Sequence, residues 1–391
     1  MNRRHRVGVR VLGLSGMLAG SLVFSRPAFP ASITFVQENL VSDIPGVAAN
    51  TDPNLVNSWG VTFGPATPFW VNDNGTGVAT LYNGSGQPFP VGNPLVVTIP
   101  PPAGGAPPSA PTGNVFNDTT GFNVGPGQPA RFIFATEDGT VSGWNPNVNA
   151  TNAILEVDNS GSGAVYKGLA IGGNASGPLI YAANFRAGTV DVFDSAFAQV
   201  TVPGGFADPT IPAGFAPFNI QNIDGKLYVT YALQNAEKHD DVAGLGNGFV
   251  NVFDLNGNLQ QRLVSNGPLN SPWGLTLAPA SFGQFAGDLL VGNFGDGKIH
   301  AFDPATGQFA GELQNPSGNA IAIDGLWALK VGNGFMGADP NKVFFSSGPD
   351  GETHGLFGSL APVPEPGTIT LFGLGLALVA GRAWHKAKRR A

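Results

Sequence analysis

The stretch Asn293-Phe-Gly-Asp-Gly-Lys-Ile-His-Ala-Phe-Asp decides the fold, because it recurs along the chain. It opens on a polar turn, passes Gly297, and continues as an alternating strand that closes on Phe-Asp. Asn184-Phe-Arg-Ala-Gly-Thr-Val-Asp-Val-Phe-Asp and Asn247-Gly-Phe-Val-Asn-Val-Phe-Asp repeat it closely. Looser copies begin at Asn74, Glu137 and Glu352. Their glycines (Gly77, Gly139, Gly188, Gly248, Gly297 and Gly355) lie 49 to 62 residues apart. A polar, glycine-bearing turn between two runs of β-formers is a hairpin signal. Its return at a long, near-regular interval marks a repeat architecture.

Working outward, each turn is preceded by a second run of β-formers: Phe69 to Val71, Arg131 to Ala135, Leu179 to Ala182, Lys226 to Tyr231, Asp288 to Val291 and Lys342 to Phe345. Before that stands an apolar or aromatic residue beside a small one. These landmarks are Trp59-Gly60-Val61, Gly121-Phe122, Gly168-Leu169-Ala170, Pro217-Phe218, Trp273-Gly274-Leu275 and Gly325-Leu326-Trp327. A fourth run follows in most units, as in Leu95 to Ile99 and Asn258 to Val264. Six units of four short strands, a to d, predict an all-β fold, a six-bladed β-propeller. The sixth unit lacks a fourth run, whereas Ile33 to Leu40 is a strand without a unit. The N-terminal strand is therefore expected to complete the last blade, pairing with residues 355 to 360. The Pro-rich excursion from Pro100 to Pro111 reads as a solvated loop.

Composition agrees with a folded, strand-rich body. The 391 residues include 57 Gly and 33 Pro, yet also 28 Phe and only 12% charged residues. There is no Cys, which excludes disulfides, zinc-thiolate sites and a cysteine nucleophile. Residues 32–362 carry nine basic and 25 acidic side chains. So acidic a body repels a phosphate backbone, which argues against nucleic acid as a partner.

The two ends differ from the body. Residues 1–31 carry Arg3, Arg4, Arg6 and Arg10, then an apolar stretch from Val11 to Phe24, and read as a secretory signal peptide. Residues 363–391 begin with Pro364-Glu365-Pro366, continue as an apolar run from Gly367 to Gly381, and end in a basic tail that includes Arg382, Arg389 and Arg390. By itself the run is a short transmembrane segment held by cytoplasmic charge. The whole arrangement resembles the PEP-CTERM sorting signal. That resemblance implies processing by an exosortase and delivery to the envelope, cell surface or extracellular matrix of a Gram-negative bacterium.

Most of residues 33–360, in the expected propeller domain 32–362, resembles a family of PEP-CTERM-tailed proteins with six-bladed, NHL-like or gluconolactonase-like propellers. The repeat pattern carries this likeness, and Lys238-His239-Asp240-Asp241-Val242-Ala243-Gly244 is its most distinctive string.

In such blades the b-to-c loops gather at one mouth of the central channel. They hold the ligand or metal candidates Asn72, Asp73, Asn184, Glu237, His239, Asp240, Asp241, Asn293, Asp296 and His354, alongside Glu137, Asp138 and Glu352. Carboxylate and amide oxygens from several loops can hold calcium or another divalent cation. The likeness to gluconolactonases implies such an ion, although the inner runs offer Trp, Phe and Leu where those enzymes also draw ligands. The same residue types also satisfy tight turns unaided. The insertion from Leu233 to Gly248 stands out, since long insertions in a regular scaffold are often functional. Trp59, Trp273 and Trp327 occupy equivalent inner positions and read as channel-lining core, and Trp144 as packing between blades.

The first functional reading is a non-enzymatic binding protein for polysaccharide, a surface partner protein or a small ligand. The second is a divalent-metal lactone or ester hydrolase, and the third a passive matrix protein.

Overall fold

The computed structural model describes residues 33–363. Each of the six repeats folds into a four-stranded antiparallel blade, and in the last the two-residue Asn50–Thr51 adds a short parallel fifth strand. Blade 1 comprises Ser58–Thr62, Phe69–Asp73, Val78–Tyr82 and Val96–Thr98; blade 2 Pro111–Phe116, Phe132–Thr136, Thr140–Trp144 and Ile154–Asp158. Blade 3 runs through Tyr166–Asn174, Gly177–Asn184, Thr189–Asp194 and Gln199–Val200; blade 4 through Phe215–Ile223, Lys226–Leu233, Phe249–Phe253 and Leu259–Ser265. Blade 5 has Pro272–Leu277, Leu289–Asn293, Ile299–Phe302 and Phe309–Glu312. Blade 6 has Leu326–Val331, Val343–Ser347 and Leu356–Val363. The first strand of every blade touches the first strands of its two neighbours, so these six line the central channel.

The chain closes the ring as the repeat count demands. Thr34–Ser42 is the outer strand of blade 6, antiparallel to Leu356–Val363 from Thr34 opposite Val363 to Ser42 opposite Leu356. Phe35 anchors it from the inside, its ring 4.7 Å from that of Phe282 and 6.3 Å from that of Phe285. Asp43 then accepts from the Gly355 amide at 2.9 Å and pairs with His354 at 2.7 Å. Pairing of this strand covers the edge that Leu356–Val363 would otherwise leave open.

One strand assignment needs correction. The inner strand of blade 2 is Pro111–Phe116, and Gly121-Phe122 lies in the connection that follows it. Proline is tolerated as a first strand residue, so Pro111 ends the loop and opens the strand. Thr112-Gly113 is the counterpart of Trp59-Gly60: a Cβ on Gly113 would stand 2.3 Å from the Leu169 amide, so the backbones of adjacent blades touch there.

The repeat glycines serve two ends. Gly77, Gly139, Gly188 and Gly297 have φ between 69° and 79°, the left-handed turn conformation. Gly355 instead has Leu55 O 1.9 Å from where a Cβ would be, a matter of close approach.

The largest core cluster fills the channel with Trp59, Trp273, Trp327, Phe218 and Phe185, and further clusters lie between blades. Trp144 packs in one of these, its ring 4.8 Å from Trp70. Among the described residues no helix is long and apolar enough to cross a membrane. The expected signal peptide and short C-terminal span, with Pro364, Glu365, Pro366, Arg382, Arg389 and Arg390, lie outside the described residues, so the structure lends the span no support.

Candidate functional site

Every inner strand carries a bulge at the same height, where its register with the second strand shifts. The residues on the six bulges are Trp59, Thr112, Lys167, Phe218, Trp273 and Trp327. Four are aromatic and form a plug. Trp59 stacks on Trp327 at 3.6 Å, Trp273 meets both edge-on at 6.2 and 5.8 Å, and Phe218 lies 5.8 Å from Trp327. Buried indole N–H groups need acceptors. Trp59 and Trp327 donate to Asn57 Oδ1 at 2.9 and 3.1 Å, and Trp273 donates to the Lys167 carbonyl at 2.9 Å.

Lys167 is the departure from this pattern, a cation where three other blades place tryptophan. Its side chain is 3% exposed and its ammonium lies 5.1 Å from the Trp59 ring centroid. The ammonium donates to Glu137 from the blade 2 turn and to Asp240 from the blade 4 insertion, the latter at 3.3 Å. Burial pulls its pKa down, but the Glu137 carboxylate, with Asp240 and Glu352 in support, more than offsets this and holds it above the ordinary lysine value. Lys167 is therefore charged at neutral pH.

Around it the mouth is tied into one network. Glu137 Oε2 accepts from Asn74 Nδ2 at 2.9 Å, Asn74 Oδ1 from Asn57 Nδ2 at 3.2 Å, and Glu352 Oε2 from Asn57 Nδ2 at 2.7 Å. His239 Nδ1 lies 2.8 Å from Asp240 Oδ1. That bond, with Lys167 behind it and burial opposing, holds Asp240 down to about 2, and the same bond raises His239. Glu352 is pushed up by burial and by the charges of Glu137 and Asp240, against the Asn57 bond and Lys167. Three carboxyl groups thus gather around one ammonium, with the His239 imidazole beside them.

Ligand atoms of Glu137, His239 and Asp240 lie within 4.8 Å of one another, a spacing that could hold a metal ion. The donors are nonetheless engaged: both carboxylates sit on the Lys167 ammonium, and His239 Nδ1 on Asp240. Calcium takes six to eight oxygens. The set thus fits an internal ammonium better than a divalent ion.

Of the candidates read from sequence, His239 and Asp240 stand at this mouth. Asp241 is pushed up by burial, and Glu237 is exposed on the insertion. Several others serve the scaffold. Asn72 donates to Thr112 O at 2.9 Å and accepts from Asn114 Nδ2 at 3.0 Å, clamping blade 1 to blade 2. Asp73 is fully buried with Thr80 as donor at 2.7 Å, and burial drives its carboxyl well above the usual range. Asn184 donates to Asp191 at 2.9 Å. Asn293 donates to Pro268 O and to Asp296, which accepts from the Lys298 amide as well. His354 belongs to the closure of blade 6. The sequence reading passed over Lys167 and Asn57, and left Glu137 and Glu352 as loop residues. The signal for Lys167 was available: Lys167-Gly168 occupies the place of Trp59-Gly60 and Trp273-Gly274.

Two proteins of Acanthamoeba polyphaga mimivirus are similar over this length. Uncharacterized protein R648 is 35% identical over 331 residues, 82% of this chain and 78% of that protein. Uncharacterized protein L690 is 34% identical over 339 residues, 84% and 86% of the two chains. The chain belongs to their family. Its C-terminus matches the PEP-CTERM protein-sorting motif at residues 362–389.

Among solved structures, a protein of unknown function from Bacteroides thetaiotaomicron aligns with a TM-score of 0.50 at 10% identity, over 85% of this chain and 76% of that one. A glucose dehydrogenase aligns with a TM-score of 0.50 at 9% identity, over 83% and 99%. At such identities the likeness is one of fold, which agrees with the expected NHL- or gluconolactonase-like propeller body. The propeller and the motif together indicate an exported propeller protein, and the motif implies the envelope or surface of a Gram-negative bacterium.

Proposed function

We propose that this protein is a non-enzymatic binding module, led out by residues 1–31 and sorted by an exosortase acting on residues 363–391. Residues 32–362 present the b-to-c mouth to a ligand rich in hydroxyl or ammonium donors, and extracellular polysaccharide is the class that offers most of them. The observation that carries this reading is the convergence of Glu137, Asp240 and Glu352 from three blades around Lys167. The network presents acceptors held in place by Asn57 and Asn74, and fixed acceptors recognise donors at little entropic cost. The tryptophans are too deeply buried to stack on a sugar.

The runner-up, a divalent-metal lactone or ester hydrolase, rests on the spacing of Glu137, His239 and Asp240. It requires the ion to displace the Lys167 ammonium from both carboxylates, which weighs against it.

The test is co-sedimentation of the purified protein with extracellular polysaccharide from its own host, wild type against the Glu137→Gln, Asp240→Asn double variant. Saturable capture by the wild type, weakened about tenfold or more in the variant, is expected from losing at least one charge-assisted contact. Equal capture by the two proteins, or none by the wild type, overturns the reading.

A further inference from the structure

Below the aromatic plug the inner strands run on to the opposite, a-to-b mouth. There the channel widens into a cavity of about 620 Å³ with Trp273 in its wall. This is a volume typical of small-molecule sites. It is separate from the Glu137, Asp240 and Glu352 network, none of whose members lines it.

One charged side chain on its wall lacks a partner. Lys330, on the inner strand of blade 6, has neither a hydrogen-bond acceptor nor an ion-pair partner among the described residues. Its ammonium lies 5.5 Å from the centroid of the Phe63 ring. Burial alone pulls the Lys330 pKa below the ordinary lysine value. Lys330 is partly buried on this wall. A partly buried cation with no anion beside it is costly, and a bound anion relieves it.

We infer that the a-to-b cavity binds a small hydroxy-carboxylate, with the chemistry of a sugar acid. The carboxylate pairs with Lys330. Asp118 at the rim accepts a hydroxyl, and Phe63 and Phe116 supply apolar wall. The other charged side chain on the wall, Asp118, forms no ion pair with Lys330, so the lysine is available to an anion. This site is independent of the proposed b-to-c function and of any polysaccharide there.

The experiment is isothermal titration of the full-length protein with D-glucuronate, D-galacturonate and lactate, with D-glucose as the neutral comparator. At least one of the three acids binds saturably and about tenfold or more tighter than glucose, the scale of one charge-assisted pair. Lys330→Met abolishes that preference, and Lys330→Arg restores part of it. Because Lys330→Met removes an unpaired, partly buried charge, its unfolding temperature equals or exceeds that of the wild type, which separates loss of binding from loss of fold. Three outcomes overturn the inference: no acid binding more tightly than glucose, Lys330→Met binding the acids as the wild type does, or a Lys330→Met protein that unfolds at lower temperature.

Discussion

Replacing Lys167 by methionine keeps the length of the side chain and removes the ammonium, leaving the largely buried Glu137 carboxylate without its cation. Breaking a buried pair from one side costs roughly 3 kcal/mol. The Lys167→Met protein is therefore expected to unfold in urea at a clearly lower midpoint, and an unchanged midpoint would show that Glu137 is satisfied without it. A second residue-scale test uses pH. Asp208 accepts from Arg262 Nε and Nη2 at 2.9 and 2.5 Å and from Asn251 at 2.9 Å. Burial raises its pKa, but these bonds and those from Thr210 bring it down to about 2. A depressed carboxylate stabilises the fold above its unfolded pKa, and that contribution fades as pH falls through the folded one. Between about pH 4 and pH 2 the wild type should lose stability faster than Asp208→Asn, read as the slope of unfolding free energy against pH; parallel curves would remove Asp208 from the account. At this scale the sequence was least legible. His239 and Asp240 stood out because an insertion displayed them, whereas Lys167 hid inside a strand whose neighbours suggested core. Asn72, Asp73 and Asn293 looked like ligands because turn chemistry and ligand chemistry use the same side chains.

At the scale of elements, the closure strand is the feature the repeat count foretold, and its energetics are concentrated at Phe35. That ring is fully buried against Phe282 and Phe285. Phe35→Ala should cost about 3 to 5 kcal/mol. Hydrogen exchange should then accelerate first in Leu356–Val363, the strand whose partner has loosened. Uniform acceleration across all six blades, or none, would mean that closure does not hold the ring. Five of six inner strands were legible because an aromatic or leucine beside a small residue marked them. Blade 2 was missed because Thr112 replaces the aromatic and Pro111 disguises the strand's first residue as loop.

Across the whole molecule, the channel is divided by its tryptophan plug into an acidic mouth and a mouth with one unpaired lysine. The sequence showed the ring, its six-fold repeat and the face on which b-to-c loops meet, since period and patterning determine those. It did not show the division, which depends on which side chain each bulge places on the axis. The central claim is that Lys167 serves as the cation of the acidic mouth, so that binding there needs no divalent ion. Thermal unfolding of the protein in excess calcium and in excess EDTA tests this most directly, because an ion that binds only the folded state must raise the midpoint. The account predicts coincident midpoints. A midpoint several degrees higher in calcium, lost in Glu137→Gln or Asp240→Asn, would contradict it and put the metal-dependent hydrolase ahead of the binding module.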